Sequence, residues 1–279
     1  MSRGIQLFTE ERIVELQRNG RGKGRLASYT PWLFATEGYY DGTTHELPSH
    51  KFGRTHQLLS DGELSLFYIL ERSAAVHDVR EQFPLDRELT MEVAHSLGIK
   101  HQFYDGTHVP YVMTVDFMVD RHVGQTTRLE AYEVKVAHDL EQPRVLELLE
   151  VSRESLARLG IELHIVVKEL LPLQKVKNLG WVRNAQLEEN AVEQYEGYFE
   201  DYKARMMQEL STFTFEGSLS DYCEDFDRRN GVYKGTGLRV ARMLVLSRFL
   251  YMDFSCESPE RLHMSTFRLA SDRENTDRP

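Results

Sequence analysis

The chain has 279 residues, of which 41% are hydrophobic and 28% are charged, so it can bury one or two cores, and its length favours two domains. Its formal net charge of −10 argues against a protein that coats nucleic acid non-specifically, because phosphate binding depends on lysine and arginine. The lack of an apolar run of roughly 18 residues, and of an apolar core near the N terminus, predicts no membrane span, no secretion signal and a location in the cytosol.

The first fifty residues are rich in loop-forming residues. The segment RNGRGKGR places four basic residues among glycines with no acid between them: Arg18, Arg21, Lys23 and Arg25. This composition predicts a flexible basic arm, which either contacts phosphate or serves as a solubilising linker. Further along, Arg54 and His56 lie beside Gly53 in a predicted loop, where phosphate contact and local hydrogen bonding of the histidine are the two interpretations.

The segment SDGELSLFYILERSA predicts a helix from Ser60, because its apolar residues recur at helical spacing. Ser60 followed three residues later by Glu63 fits a capping box, in which the glutamate side chain accepts the backbone N–H of the cap. A Glu63 side chain committed to the cap could not also bind a metal ion, so a structural and a functional interpretation compete at this residue.

A strand, AVHDVREQFPL, ends at Pro84, and a short helix, ELTMEVAHSLGI, ends near Gly98. Arg80 and Gln82 occupy alternate positions of the strand and therefore share a face. That face is either solvated or turned towards a functional site or a DNA phosphate. Lys100, after the helix, belongs either to an ordinary surface loop or to a loop that approaches DNA.

Two strands, VMTVDFMVD and LEAYEVKVA, joined by RHVGQTT, predict a β-hairpin. Glu133 and Lys135 share one face of the second strand, and its apolar residues occupy the other. A solvated edge strand explains this alternation without any function. If the two strands pair, however, Asp116 of the first strand lies near Glu133 and Lys135 of the second.

An amphipathic helix closed by Gly160 and the strand IELHIVVKEL complete a mixed α/β sheet flanked by helices, in a predicted first domain at residues 1–168. A second, mostly helical domain is predicted at residues 169–279. It begins with the acidic helical segment QLEENAVEQYEGYFEDYKARMMQEL and continues with the looser GSLSDYCEDFDRRNGVYKGTG. LRVARMLVLSRFLYMDF predicts a helix passing into a strand, and the tail ASDRENTDRP has the composition of disorder.

Three carboxylates and a lysine make up the candidate site. Mg²⁺ prefers carboxylate, carbonyl and water oxygens, which Glu63, Asp116 and Glu133 can supply. Near such an ion, Lys135 could orient or deprotonate an attacking water, or offset charge on a scissile phosphate. The pattern D…E-x-K is typical of nucleases, although this spacing alone also occurs by chance in acidic chains.

The segments SHKFGRTHQLLSDGELSLFYILE, VHDVREQFPL, GIKH, TVDFMVD and YEVK together resemble the TnsA endonuclease subunit of heteromeric cut-and-paste transposons. The resemblance runs from GRGKGRLASYTPWL to the strand near residue 168 and is looser beyond it. It implies a restriction-endonuclease-like fold for the first domain. It also implies a winged-helix-like second domain that docks on the ATPase regulator of the transposon.

The same resemblance implies roles for individual residues. It places the catalytic residues at Glu63, Asp116, Glu133 and Lys135. It places the metal ligands at Glu63, Asp116, Glu133 and Val134. It leaves open whether Glu133 binds the metal directly or through water, because a family member has glutamine at this position. The implied cofactor is Mg²⁺, with two ions per site, and Mn²⁺ can substitute for it.

The implied function is hydrolysis of the 5′ ends of a transposon, while a TnsB-like transposase cuts the 3′ ends. The expected partners are transposon-end DNA, this transposase and a TnsC-like ATPase regulator, in the bacterial cytosol. One alternative is a non-catalytic subunit that bridges transposase and regulator, since an acidic second domain suits a protein partner. Another is a free-standing restriction or repair nuclease that cleaves DNA alone.

Overall fold

The computed structural model describes residues 8–37, 43–186, 193–212 and 214–270. The chain divides into a first unit, Met1–Leu171, and a second unit, Pro172–Pro279. Most of the predicted disordered tail, residues 271–279, lies outside the described residues. No helix in the described parts of the chain is both long enough and apolar enough to cross a membrane.

The first unit contains four helices and six strands among its described residues. In chain order they are α1 (Glu10–Arg18), β1 (His45–Ser49), β2 (Arg54–Leu58), α2 (Asp61–Arg72), β3 (Val76–Pro84), α3 (Arg87–Leu97), β4 (Thr114–Val123), β5 (Thr126–Lys135), α4 (Pro143–Arg158) and β6 (Glu162–Val167). Four of the strands form one sheet in the order β3-β4-β5-β6, and β1 pairs with β2. The β3/β4 and β4/β5 pairs are antiparallel, and β5/β6 is parallel, with α4 as the connection.

Helices cover both faces of the four-stranded sheet. Phe67 of α2 belongs to a buried cluster that includes Phe117 of β4. Val93 of α3 and Val151 of α4 belong to another cluster, which includes Met118 of β4. Because neighbouring residues of a strand point to opposite faces, these clusters lie on opposite sides of the sheet. The predicted fold class, a restriction-endonuclease-like mixed sheet flanked by helices, is confirmed.

Strand β5 lies inside the sheet. It pairs with β4 on one side and with β6 on the other, and the pairing with β6 continues to Lys135↔Val167. Lys135 and its neighbour Glu133 therefore belong to a central strand. The interpretation of this segment as a solvated edge strand is wrong, because the α4 connection brings β6 alongside it.

The N-terminal segment is packed against the sheet. Arg21 pairs with Glu37 and also donates to the Trp32 carbonyl at 3.0 Å. A Cβ atom at Gly22 would collide with the ring of Pro84, so this turn lies directly on the end of β3. The prediction of a flexible basic arm is wrong for the described residues of this segment, because Arg21 and Arg25 have acidic partners, Glu37 and Asp120, within the fold.

Residues 45–58 form a hairpin, although the sequence predicted a loop around Gly53. The register of β1 and β2 runs from His45↔Leu58 to Ser49↔Arg54, and Gly53 occupies the turn with a φ of 69°. The hairpin escaped prediction because its strands have five residues each and one contains a proline.

The second unit is helical, as predicted. Its elements are α5 (Leu173–Arg183), α6 (Tyr198–Thr212), α7 (Leu219–Asn230), α8 (Thr236–Leu246), β7 (Leu250–Tyr251) and β8 (Arg268–Leu269). Helix α8 followed by β7 confirms the predicted helix passing into a strand. The segment predicted to be looser is helix α7, with a capping box between Ser218 and Asp221 and an end at Gly231. A winged-helix arrangement stays a prediction.

Candidate active site

The candidate site lies where β4 and β5 separate. The ladder between these strands ends at Phe117↔Tyr132. One residue further along, the side chain of Asp116 takes the place of a backbone acceptor of β4. Its Oδ2 accepts the N–H of Val134 at 2.7 Å. We call this point, where β4 and β5 separate at Asp116 and Val134, the fork. It directs the Asp116 carboxylate towards the end of β5, where Glu133 and Lys135 lie.

Lys135 connects the two carboxylates of the fork. Its Nζ donates a hydrogen bond to Oε2 of Glu133 and lies 3.9 Å from Oδ2 of Asp116. The structure thus brings together three of the four residues that the sequence predicted to be catalytic. They line a cavity whose opposite wall belongs to α4 and includes Val145, Leu148, Leu149 and Ser152. One wall of this cavity is therefore charged and the other is mainly apolar.

Glu63 approaches this group from the first turn of α2. Its Oε2 accepts the N–H of Leu59 at 2.8 Å and the side-chain amide of Gln82 at 3.2 Å. Its Oε1 accepts the hydroxyl of Ser60 at 3.1 Å. The predicted cap is present, but the glutamate accepts the N–H of Leu59, not that of Ser60. A carboxylate offers about four acceptor positions, so these three hydrogen bonds do not fully occupy it.

Glu63 and Glu133 hold their protons more tightly than usual. Burial, with a further contribution from Asp116, raises the pKa of Glu63 to about 8. Burial and Asp116 also raise the pKa of Glu133 to about 7, although Lys135 opposes this shift. Burial by itself lowers the pKa of Lys135, but Asp116 and Glu133 outweigh it, and the net pKa is raised. Carboxylates are crowded here, and the ammonium group stabilises their charge.

The donor set fits a hard cation. Among the described residues, no three His, Cys, Asp or Glu side chains are already arranged around a common metal position. Even so, the charge of Asp116 acts on both Glu63 and Glu133, so these three carboxylates lie near one another, and the Lys135 ammonium bound to Glu133 partly offsets their charge in the metal-free chain. The N–H and C=O of one strand residue point to the same side, so the Val134 carbonyl also faces the β4 side. These oxygens are of the kind that Mg²⁺ prefers.

The structure speaks against phosphate binding by Arg54 and His56. Both side chains are buried and bind Glu81: Nη2 of Arg54 lies 2.5 Å from its Oε2, and Nδ1 of His56 lies 2.8 Å from the same atom. The predicted DNA contacts of Arg54 and His56 are wrong for this reason. Hydrogen bonding within the fold, the other interpretation of the histidine, is what the structure contains.

The remaining predicted DNA-binding residues divide into three cases. Arg80 is buried and pairs with Asp120 at 2.6 Å, so it reaches neither the site nor a phosphate, and that prediction is wrong. Gln82 is also buried, but it contacts Glu63 and therefore faces the site and not DNA. Lys100 is exposed on the loop after α3, and its contact with DNA stays a prediction.

Gly62 is a site residue that sequence reasoning missed. A Cβ atom at this position would lie 2.8 Å from Cγ1 of Val134, so the missing side chain lets the first turn of α2 rest on β5. A glycine in the first turn of a predicted helix, where it weakens the helix, was the available signal. The close approach keeps Glu63 beside the fork.

Replacing Gly62 with alanine should displace Glu63 from the fork. Val134 is β-branched and cannot rotate away easily, so the first turn of α2 must shift. We expect weaker Mg²⁺ binding, measured by titration calorimetry, together with a small loss of thermal stability. The control is Gly124→Ala in the β4/β5 turn, where a Cβ meets no atom within 4 Å; its positive φ, which Gly62 lacks, makes it a variant that costs stability without a clash at the fork. Equal Mg²⁺ affinity in Gly62→Ala and wild type would contradict this prediction.

The raised pKa values predict that the metal-free chain loses stability as the pH rises. The folded pKa values of Glu63 and Glu133, about 8 and about 7, exceed the ordinary 4.5, so their contribution is complete below about pH 4.5 and declines up to about pH 8. Mg²⁺ binds ionised carboxylates and should therefore raise the melting temperature more near pH 8 than near pH 5. The double variant Glu63→Gln, Glu133→Gln should lose this difference. Equal stabilisation of wild type at both pH values would refute the prediction.

Comparisons with known proteins cover both units. Residues 73–168 match a family model described as TnsA-like endonuclease N terminal. Residues 171–254 match a second model, described as TnsA endonuclease C terminal. The transposition protein TnsA of transposon Tn7 from Escherichia coli is 39% identical over 194 residues, which cover 69% of this chain and 70% of that protein. The first match includes Asp116, Glu133 and Lys135.

Proposed function

Because this chain belongs to the TnsA endonuclease family, we propose that it hydrolyses the 5′ ends of a transposon in a Mg²⁺-dependent reaction. Its membership makes it the endonuclease subunit of a transposition system. The observation that best supports the finer proposal is the fork of β4 and β5, which gathers Asp116, Glu133 and Lys135 around one cavity.

The metal ligands in this proposal are Asp116, Glu133, Glu63 and the carbonyl of Val134. Bound Mg²⁺, with two ions per site, would polarise the phosphoryl oxygens and lower the pKa of a bound water. Mn²⁺ should substitute, because it accepts the same oxygen ligands.

Lys135 acts in this proposal through its positive charge. Its raised pKa means that the amine carries a proton in the metal-free chain, so it donates hydrogen bonds and does not accept them. A protonated lysine beside the cavity can orient the attacking water and offset charge that develops on the scissile phosphate. Of the three roles that the sequence left open, this supports orientation of the water and charge stabilisation over proton abstraction.

The proposed partners explain how an acidic chain acts on DNA. With a net charge of −10, the chain has little general affinity for phosphate, so we propose that a TnsB-like transposase brings the transposon ends to it in the bacterial cytosol. The transposase would cut the 3′ ends. The second unit, which we propose to be winged-helix-like, would dock on a TnsC-like ATPase regulator.

Omitting one component at a time tests this function. A labelled transposon-end duplex is incubated with the chain, the transposase, the regulator and Mg²⁺, and then with each of them left out. We expect 5′-strand cleavage only in the complete mixture. Efficient cleavage by the chain alone would favour a free-standing nuclease. Unchanged 5′ cleavage without the chain would favour a non-catalytic bridging subunit.

Deleting residues 172–279 should abolish binding to the regulator and leave Mg²⁺ binding intact. The proposed metal ligands all lie in the first unit, which has its own buried core. Co-purification with the ATPase regulator and calorimetric titration with Mg²⁺ measure the two properties on the same preparation. Retained binding to the regulator would rule out the second unit as its docking site.

A further inference from the structure

Gln82 has an unusual backbone conformation within β3, an edge strand of the four-stranded sheet. Its φ of 46° lies in the left-handed region, which residues other than glycine rarely adopt. Such strain persists only where the surroundings hold it, and it concentrates at functional sites. The contacts of Gln82 therefore indicate what holds this conformation and what it positions.

The strained residue lies beside the fork. In the β3/β4 register, Glu81 pairs with Phe117 and Phe83 pairs with Val115, so Gln82 is opposite Asp116. Its carbonyl accepts the N–H of Trp32 at 3.2 Å, which ties its backbone to the N-terminal segment. The distortion of β3 thus occurs at the level of the proposed metal ligands.

The side chain of Gln82 is buried and bridges two elements. Its Nε2 donates to Oε2 of Glu63 at 3.2 Å, and its Oε1 accepts the hydroxyl of Thr114 at 3.4 Å. Thr114 begins β4 and lines the same cavity as Asp116. The contact with Thr114 orients the amide so that its NH₂ group faces Glu63.

This bridge determines which oxygen of Glu63 remains open. Each carboxylate oxygen has two lone pairs. Leu59 and Gln82 both donate to Oε2, whereas Oε1 accepts only the hydroxyl of Ser60 from the part of the chain that the structure describes. Oε1 therefore keeps a lone pair for a further ligand, while Oε2 is held in place.

We propose that Gln82 is a positioning residue that fixes the Glu63 carboxylate so that Oε1 can bind the metal ion. This inference rests on the proposed function and deepens it. The positive φ turns the side chain of Gln82 towards the first turn of α2, where it contacts Glu63, and this contact explains why the strained conformation is kept. Gln82 acts through Glu63 and does not itself touch the metal or DNA.

Three variants of the full chain test the proposal. Gln82→Met keeps the length of the side chain but cannot donate a hydrogen bond. Gln82→Gly removes the side chain and accepts the positive φ without strain. Gln125→Met, in the exposed β4/β5 turn, is the matched control. Mg²⁺ affinity is measured by calorimetry and thermal stability by melting temperature, so that neither readout requires cleavage activity.

We expect Gln82→Met and Gln82→Gly to weaken Mg²⁺ binding by about 10- to 100-fold, as losing a hydrogen bond to a metal ligand typically does. The melting temperature of the glycine variant should equal or exceed that of the methionine variant. In the complete cleavage mixture, both variants should need more Mg²⁺ for half-maximal cleavage and recover at high Mg²⁺. A purely structural residue would lower stability without this rescue.

The outcomes separate this inference from the function on which it rests. If Glu63→Gln weakens Mg²⁺ binding and Gln82→Met does not, the positioning role is overturned and the proposed metal site stands. If neither Glu63→Gln nor Asp116→Asn weakens Mg²⁺ binding, the proposed metal site is wrong, and the role of Gln82 is overturned with it.

Discussion

Replacing Lys135 with alanine is expected to slow 5′-strand cleavage by about 10²- to 10³-fold, the usual effect of removing one group that stabilises charge in a transition state. In the structure its ammonium group binds Glu133 and lies 3.9 Å from Asp116, beside the cavity that would receive the scissile phosphate. Alanine removes this charge without filling the cavity. Single-turnover cleavage of a transposon-end duplex in the complete mixture measures the effect.

The same variant should not bind Mg²⁺ more weakly. The ammonium group of Lys135 competes with a metal ion for Glu133, so its removal should leave the Mg²⁺ affinity equal or higher. Lys23→Ala, an exposed lysine of the first unit, is the matched control and should change neither property. A Lys135→Ala chain that cleaves at the wild-type rate would contradict the proposed role. Loss of Mg²⁺ binding would point instead to disruption of the whole site.

Replacing Glu81 with alanine is expected to destabilise the chain by about 3–5 kcal/mol, the usual cost of leaving buried charges unpaired. Arg54 and His56 both bind this carboxylate, and all three side chains are buried. Without Glu81, the Arg54 guanidinium remains buried without its partner. Denaturant unfolding of the metal-free chain measures the change. The control is Glu92→Ala, which removes an exposed partner of Arg158 and should have little effect.

The contribution of Glu81 also has a predictable pH dependence. Burial opposes ionisation of this carboxyl, but hydrogen bonds from Arg54 and His56 outweigh it and lower its pKa to about 2. A lowered folded pKa gives stability that is complete above about pH 4.5 and is lost as the pH falls towards about 2. The difference in unfolding free energy between wild type and Glu81→Ala should therefore shrink in acid. A difference that is constant with pH would contradict the ion cluster.

Local signals in the sequence were sufficient for the central part of the fold. The capping residues and the apolar spacing after Ser60 predicted α2, and Gly98 marked the end of α3 with a φ of 68°. The glycine-containing junction predicted the β4/β5 hairpin, and strand alternation then placed Asp116 near Glu133 and Lys135. These features depend on residues close together in the chain, which is why a pattern can reveal them.

Other features depend on contacts between distant residues. His56 binds Glu81, 25 positions away, so no local pattern distinguished a buried ion cluster from a phosphate-binding loop. Asp120 pairs with Arg80, 40 positions away, so no local pattern showed that Arg80 is held within the fold and does not reach a phosphate. The positive φ of Gln82 was equally hidden, because glutamine gives no sequence signal for a left-handed conformation.

The most direct test of the proposed function is strand-resolved cleavage of a transposon-end duplex by wild type and Asp116→Asn. The asparagine side chain can still accept the N–H of Val134, so the fork should keep its shape while it loses a negative metal ligand. Transposase, ATPase regulator and Mg²⁺ are present in both reactions. We predict that Asp116→Asn abolishes 5′-strand cleavage and leaves 3′-strand cleavage intact. Unchanged 5′-strand cleavage would show that the hydrolytic site lies elsewhere.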